Sequence, residues 1–264
     1  MNEHLEQLDQ LERDGYAVFP NTLDESTTAR LRAHIDSLLP PVAPPEEAEV
    51  PRVHMLRHPI PGAIMAEALD NRRLLELAQQ LLHARDMRLV EQVLIRTDAQ
   101  QAAPGVTGPT GWHIDMTFLP EHYHARPRQT YFQMVHALST IVPHGGATMV
   151  VPGSHHKTYQ AARELGLDGL ERLKADPIGV AGLDLNDAVE VLANEGDLVV
   201  FNPMCLHSAS LNLSQQPRYV YFTSFMDKTA VRLQEHMINV NYQRAFSDSL
   251  RDNLRPALHP LLDD

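Results

Sequence analysis

The sequence predicts a mainly β protein with flanking helices, an α+β chain whose strands form a β-sandwich or jelly-roll barrel backed by helices. Three observations carry this expectation. Apolar residues recur at helical spacing through residues 1–86, a period of two replaces that spacing from Met87 onward, and turn residues then separate a series of short strands. A chain of 264 residues can bury a full core and is read as a single domain over 1–264. Within it, 1–86 is mainly helical support, 87–230 is the jelly-roll core with a helical insertion near 158–175, and 231–264 is a helical or extended C-terminal segment.

The first helix carries Leu5, Leu8 and Leu11 on one stripe and closes at Gly15. Tyr16-Ala17-Val18-Phe19 then reads as a short strand. Asp24 or Ser26 can cap a second helix whose apolar side is Leu31, Ile35, Leu38 and Leu39. The proline run from Pro40 to Pro45 ends it, because consecutive prolines remove donors and favour extended backbone. From Ile64 to Ala84 the pattern is helical again, interrupted near Asp70-Asn71.

Met87 to Thr97 is the first long strand, with Gln92, Leu94 and Arg96 on one face and Glu91, Val93 and Ile95 on the other. A loop over 98–110, rich in Gly, Pro, Ala and Gln, follows and is expected to border a site. Further strands are expected over Gln129–Leu138, Ala147–Val151, Ala188–Leu192, Leu198–Phe201 and Arg218–Met226. Pro152-Gly153-Ser154 stops one of them and Glu195-Gly196-Asp197 turns into another.

Composition narrows the partners. Hydrophobic residues make up 43% and charged residues 21%, which suits an ordinary globular chain and not a disordered one. The net charge of −12 is scattered, as in Glu3, Glu6, Asp9, Glu12 and Asp14, and argues against nucleic acid or an anionic membrane as main partner. No basic leader and no apolar run of about 18 residues is present, so a cytoplasmic location is expected. The single cysteine, Cys205, forbids an internal disulfide and reads as a small buried hydrophobe.

Chemistry concentrates at Trp112-His113-Ile114-Asp115. On a strand, alternation puts His113 and Asp115 on one face. Two donors do not hold a catalytic metal alone, and His207, delivered after a separate strand, is the third. Two imidazoles and one carboxylate that leave three octahedral positions open are the facial triad of non-haem Fe(II) oxygenases. Arg218 follows eleven residues later (218 − 207) on a strand where Arg218, Val220, Phe222 and Ser224 share a face. An arginine with apolar neighbours is costly unless an anion meets it, and a dicarboxylate fits.

In these stretches the chain resembles the phytanoyl-CoA dioxygenase-like family of Fe(II)/2-oxoglutarate-dependent oxygenases. The matching stretches are Asp14 to Phe19, Trp112 to Asp115, Ala137 through Gly146 to His155, and Gly196 to Phe201 leading to His207, Asn212 and Arg218. The resemblance implies a double-stranded β-helix, a jelly-roll or cupin-like barrel. It implies His113, Asp115 and His207 as iron ligands, with Fe(II), the cosubstrate 2-oxoglutarate and O2 as the reaction's partners. Arg218 would hold the distal carboxylate of 2-oxoglutarate, and Gln92 and Arg96 would contact the same cosubstrate. Ala209 stands where relatives often carry a serine, with Ser208 or Ser210 as substitutes; Gly145-Gly146 replaces a common Asn-Gly turn, and Val135 a frequent tryptophan. Related halogenases have a small residue in place of Asp115, so hydroxylation is expected here.

Other residues have plainer readings. His122 and His124 form a His-x-His that lacks the following cupin glutamate. His155 and His156 suit surface or supporting positions, and Trp112 suits packing. Tyr123, Arg126, Arg128 and Lys157 read as solvated loop residues that could reach substrate. No basic rim suited to the phosphates of a CoA thioester is apparent, so a small metabolite or natural-product intermediate is the expected substrate. The alternative function is a metal-binding cupin-like isomerase, or a catalytically silent binding protein, on the same fold.

Overall fold

Helix α1 (Leu5–Asp14) closes at Gly15, whose φ of +82° is left-handed and whose position leaves no room for a side chain. A Cβ there would lie 2.5 Å from the His155 ring. The computed structural model describes residues 4–47, 52–101, 110–115, 131–229, 246 and 248–263. Strand β1 (Tyr16–Phe19) leads to α2 (Glu25–Leu38), which Asp24 caps by accepting a hydrogen bond from the Thr27 N–H at 2.8 Å. Strand β2 (Val53–Arg57) precedes α3 (Ile64–Leu69) and α4 (Arg72–Leu82), with Asn71 capping the latter. The expected interruption near Asp70-Asn71 is the joint between these two helices.

The β-rich part begins with β3 (Met87–Thr97), buried along its whole length, and β4 (Thr110–His113). Then come β5 (Tyr131–Ala137), β6 (Thr148–Val150), α5 (Ser154–Ala175), α6 (Pro177–Ala181), β7 (Val189–Val191), β8 (Leu198–Phe201), β9 (His207–Ala209) and β10 (Arg218–Asp227). Helix α7 (Asp248–Asn253) and a 3-10 turn over Pro256–Leu261 follow. Helix α5 starts four residues earlier than the expected insertion and contains a non-helical Gly166.

The strands form a six-stranded antiparallel sheet, ordered β1-β8-β5-β10-β3-β2, and a four-stranded one, ordered β4-β9-β6-β7. Alternation divides the larger sheet. Ala17, Phe19, Leu94, Met134, Leu198, Val200 and Tyr221 pack outward under Leu31 and Ile35 of α2 and the leucines of α3 and α4. Val93, Ile95, Val135, Val199, Phe201 and Val220 pack inward against Val150 and Val191 of the smaller sheet. Removing such side chains from water stabilises the fold by about 1.5–3 kcal/mol each, so the helical layer and the inter-sheet layer are both substantial cores. Helix α5 covers the smaller sheet's outer side through Tyr159, Ala162 and Leu173, against Ile114, Val151 and Leu206.

Two expectations needed adjustment. Strand β2 was not anticipated, because Val53, Met55 and Arg57 on this edge strand are exposed and leave only a weak apolar pattern. Strand β4 ends at His113, so Asp115 lies just beyond it, although Ile114 still faces away into the α5 cluster. His122, Tyr123, His124, Arg126, Arg128, most of the 98–110 loop and much of 231–264 lie outside the described residues. Among the described residues no helix is long and apolar enough to cross a membrane.

Candidate metal centre

Pairing of β4 with β9 sets His113 directly opposite His207. Their rings lie 4.3 Å apart. Asp115 is brought between them because its backbone N–H donates to the Pro203 carbonyl at 2.9 Å, tying the segment after β4 to the turn before β9. One Asp115 oxygen is 3.4 Å from His113 Nε2 and the other is 3.4 Å from His207 Nε2. The three donor atoms lie within 4.8 Å of one another, and this is the one such cluster among the described residues.

The imidazoles are oriented for coordination. His113 Nδ1 lies 2.7 Å from the Gly111 carbonyl and His207 Nδ1 lies 2.9 Å from the Cys205 carbonyl. A carbonyl only accepts, so each Nδ1 carries a hydrogen, and Nε2 is the nitrogen that each ring turns toward Asp115 and would offer to a cation. Burial pushes the Asp115 carboxyl up, but the His207 and His113 imidazoles outweigh burial and hold it well below the usual carboxylate range. The Asp115 hydrogen bond in turn raises His113. An anionic carboxylate and two inward Nε2 atoms, each freed for coordination when its hydrogen is lost, suit a divalent cation.

Arg218 stands on the same inner face of β10 as Val220 and Phe222, as expected from period two. It is 8% exposed, and its Nε has no hydrogen-bond partner among the described residues. Burial pulls the guanidinium down to about 10, which leaves it charged at neutral pH. A buried guanidinium whose Nε has no partner among the described residues is suited to receive an anion. Gly146, at φ +78°, makes room for its stem: a Cβ would lie 3.5 Å from Arg218 Cδ and 3.2 Å from Asn212 Cβ. Asn212 holds the turn before β10 through bonds to the Thr97 and Gln216 carbonyls at 2.9 and 2.8 Å.

Gln92 and Arg96 are not brought to this site, which corrects the expectation for both. They share a face of β3 with Leu94, and that face lies under the helices; the face toward the metal cluster carries Glu91, Val93 and Ile95. Gln92 donates to the Tyr221 hydroxyl at 2.6 Å and to the Met65 carbonyl at 3.3 Å. Arg96, 1% exposed, pairs with Asp98 at 2.7 Å and Asp36 at 3.0 Å and donates to the Pro40 carbonyl at 2.7 Å. Both faces of this fully buried strand mix polar and apolar residues, so periodicity grouped the residues correctly without saying which group faces the metal.

The serines expected beside the distal histidine are also placed. Ser210 donates to the Ala147 carbonyl at 2.9 Å, and Ser208 is fully buried on the strand face opposite His207. His155 Nε2 lies 3.0 Å from the Glu12 carbonyl, and burial pulls its imidazole down to about 4, a packing role that ties α5 to α1. Cys205 is buried, and burial pushes its thiol up to about 11, which fits the inert reading.

Three inward polar residues were missed: Glu91, Gln133 and Ser224. Gln133 donates to Asp115 Oδ2 at 2.8 Å, and the Ser224 hydroxyl donates to Gln133 Oε1 at 2.9 Å. The signal was their place among apolar residues on alternating strands, where a lone polar side chain must find a partner. Burial, followed by the Asp115 charge, pushes the Glu91 carboxyl up to about 7.

The Glu91 shift sets a pH dependence. Its folded value lies above the ordinary 4.5, so the neutral form is favoured on folding; the contribution is fully present below about pH 4.5 and is lost as pH rises toward 7. In the metal-free protein, Glu91→Gln is therefore expected to match wild type near pH 4 and to exceed it by about 3 kcal/mol above pH 7. Urea unfolding at several pH values reads the gap; a constant difference contradicts it.

The family profile described as phytanoyl-CoA dioxygenase (PhyH) matches residues 11–220. The chain belongs to this family. By that membership it is an Fe(II)/2-oxoglutarate-dependent dioxygenase, and the centre just described is where its metal would sit. An ectoine dioxygenase of Nocardia farcinica (strain IFM 10152) is 26% identical over 250 residues, spanning 84% of this chain and 77% of the relative. Among solved structures, HygX of Streptomyces hygroscopicus with nickel, 2-oxoglutarate and hygromycin B bound superimposes with a TM-score of 0.57 at 19% identity, covering 85% of this chain and 87% of HygX. The carbocyclase SnoK from nogalamycin biosynthesis gives 0.57 at 21% identity, over 86% of this chain and 85% of SnoK. These likenesses show a shared fold, the jelly-roll core of the PhyH family.

Because Arg96 is committed to Asp98 and Asp36, Arg96→Lys in this PhyH-family protein is expected to cost about 2 kcal/mol of stability through the lost fork geometry. Its 2-oxoglutarate affinity should stay within about two-fold of wild type, since Arg96 does not face the centre. Calorimetric titration beside a thermal melt separates the two effects.

Proposed function

We propose that this PhyH-family chain hydroxylates an unactivated C–H bond of a small metabolite or natural-product intermediate. The reaction consumes 2-oxoglutarate and O2 and yields succinate, CO2 and the hydroxylated product. The observation that carries the reading is the pairing of the His113, Asp115 and His207 cluster with a buried Arg218 on the adjoining inner face, its Nε without a partner among the described residues. His113 and His207 would donate Nε2 and Asp115 a carboxylate oxygen to Fe(II). Bound there, Fe(II) would supply the one-electron chemistry that couples O2 reduction to decarboxylation of 2-oxoglutarate and to C–H oxidation.

Arg218 would hold the distal carboxylate by a charge-assisted pair, which the water-poor setting of Val220 and Phe222 strengthens. The carboxylate at 115 fills the position that halogenation would need for a halide. The Nocardia relative's name, ectoine dioxygenase, supports a compact polar metabolite as substrate. The carbocyclase SnoK on the same fold makes ring closure the second product class to score.

Anaerobic titration tests the reading. A weak visible charge-transfer band should develop only when Fe(II) and 2-oxoglutarate are both present, and succinate should form on adding O2. A metabolite panel scored by substrate-stimulated succinate then identifies the substrate. Metal binding with no such band and no succinate would favour the isomerase or silent binding protein.

A further inference from the structure

We propose that Gln133, locked by Ser224, is the positioning residue that holds Asp115 by one carboxylate oxygen and leaves the other for the metal. The inference rests on the metal-centre reading above. Asp115 lies past the end of β4, where the strand ladder no longer restrains it, and its backbone N–H is tied to the Pro203 carbonyl. Sideways restraint of its carboxylate comes from Gln133, whose Nε2 donates to Oδ2 at 2.8 Å. A carboxylate with both oxygens free can chelate a cation through both. Tying up Oδ2 favours one-oxygen coordination, which preserves the three open positions that a bidentate cosubstrate and O2 require.

A side-chain amide can present either end, so something must decide that the NH2 faces Asp115. The Met134 backbone N–H donates to Ser224 Oγ at 3.5 Å, which leaves the hydroxyl hydrogen to go to Gln133 Oε1 at 2.9 Å. With its oxygen engaged there, Gln133 can only donate toward Asp115. Ser224 is fully buried and Gln133 is 5% exposed, so water does not compete for these bonds.

Glu91 lies beside the line. It pairs in register with Ser224. Charged groups around it are Arg57 on β2, 4.0 Å away and largely exposed, and Asp115 across the barrel. The donors run one way, from Ser224 through Gln133 to Asp115.

Co(II) titration of the metal-free full-length chain tests this, because cobalt's visible bands report both affinity and coordination number without turnover. Gln133→Leu is expected to weaken Co(II) binding by about 10–100-fold and to alter the band intensity. Ser224→Ala should lose roughly 3–10-fold, and the double variant should match Gln133→Leu within about two-fold, because Ser224 acts through Gln133. Wild-type affinity and spectrum in folded Gln133→Leu, or losses that multiply in the double variant, overturn the inference. Gln133→Met, of similar length and without a donor, gives the same reading if the leucine variant does not fold. Failure of wild type to bind Co(II), or undiminished binding by His207→Ala, overturns the metal-centre reading instead.

Discussion

His207→Ala is expected to abolish 2-oxoglutarate-dependent succinate formation and to weaken Fe(II) binding by more than about 100-fold, beyond the loss typical of a supporting residue. Removing one of three donors leaves His113 and Asp115, which cannot fix a facial geometry. The fold should persist. His207 lies between the sheets at 5% exposure, with its ring 4.7 Å from Phe201, so truncation leaves a cavity costing about 2–4 kcal/mol. Circular dichroism beside metal titration distinguishes loss of the centre from loss of the protein. Tight Fe(II) binding by folded His207→Ala would mean that the metal sits elsewhere.

Arg218→Met is expected to act in opposite directions on stability and on cosubstrate binding. In the absence of an anion, the guanidinium is buried without a partner on Nε, and its lowered pKa reports that cost. Methionine fills similar volume among Val220, Phe222 and the Gly146 turn, so the variant should gain about 2 kcal/mol and melt roughly 4–8 °C higher. Its affinity for 2-oxoglutarate should fall by about 3 kcal/mol, on the order of 100-fold, because the distal carboxylate loses the buried cation that would meet it. The melts cross over: saturating 2-oxoglutarate with metal raises the wild-type transition and leaves that of Arg218→Met nearly unmoved. A variant that is less stable and still binds 2-oxoglutarate would assign Arg218 to structure.

The legibility of the centre in the sequence varied residue by residue. His113 and Asp115 were readable as a pair because two-residue spacing survives the end of β4, with Ile114 turned to the α5 core. Arg218 was readable because charge among alternating apolar residues is improbable without a ligand. Gln133 was not singled out: glutamine in a strand has many ordinary partners, and its significance depends on Asp115, eighteen residues away, and Ser224, ninety-one away. The cosubstrate roles drawn for Gln92 and Arg96 from resemblance failed on a single binary fact, the face of β3 that each residue occupies.

By itself the sequence determined the periods of its elements, the composition of each strand face, and a donor set suited to a divalent cation beside a cation awaiting an anion. Local sterics and hydrophobic alternation act over a few residues, so those features are written locally. Which face of β3 turns inward, how Asp115 is held beyond its strand, and which donor orients Gln133 were decided only by the tertiary structure. Each depends on the packing of two sheets and a helical layer, an energy summed over residues far apart in the chain.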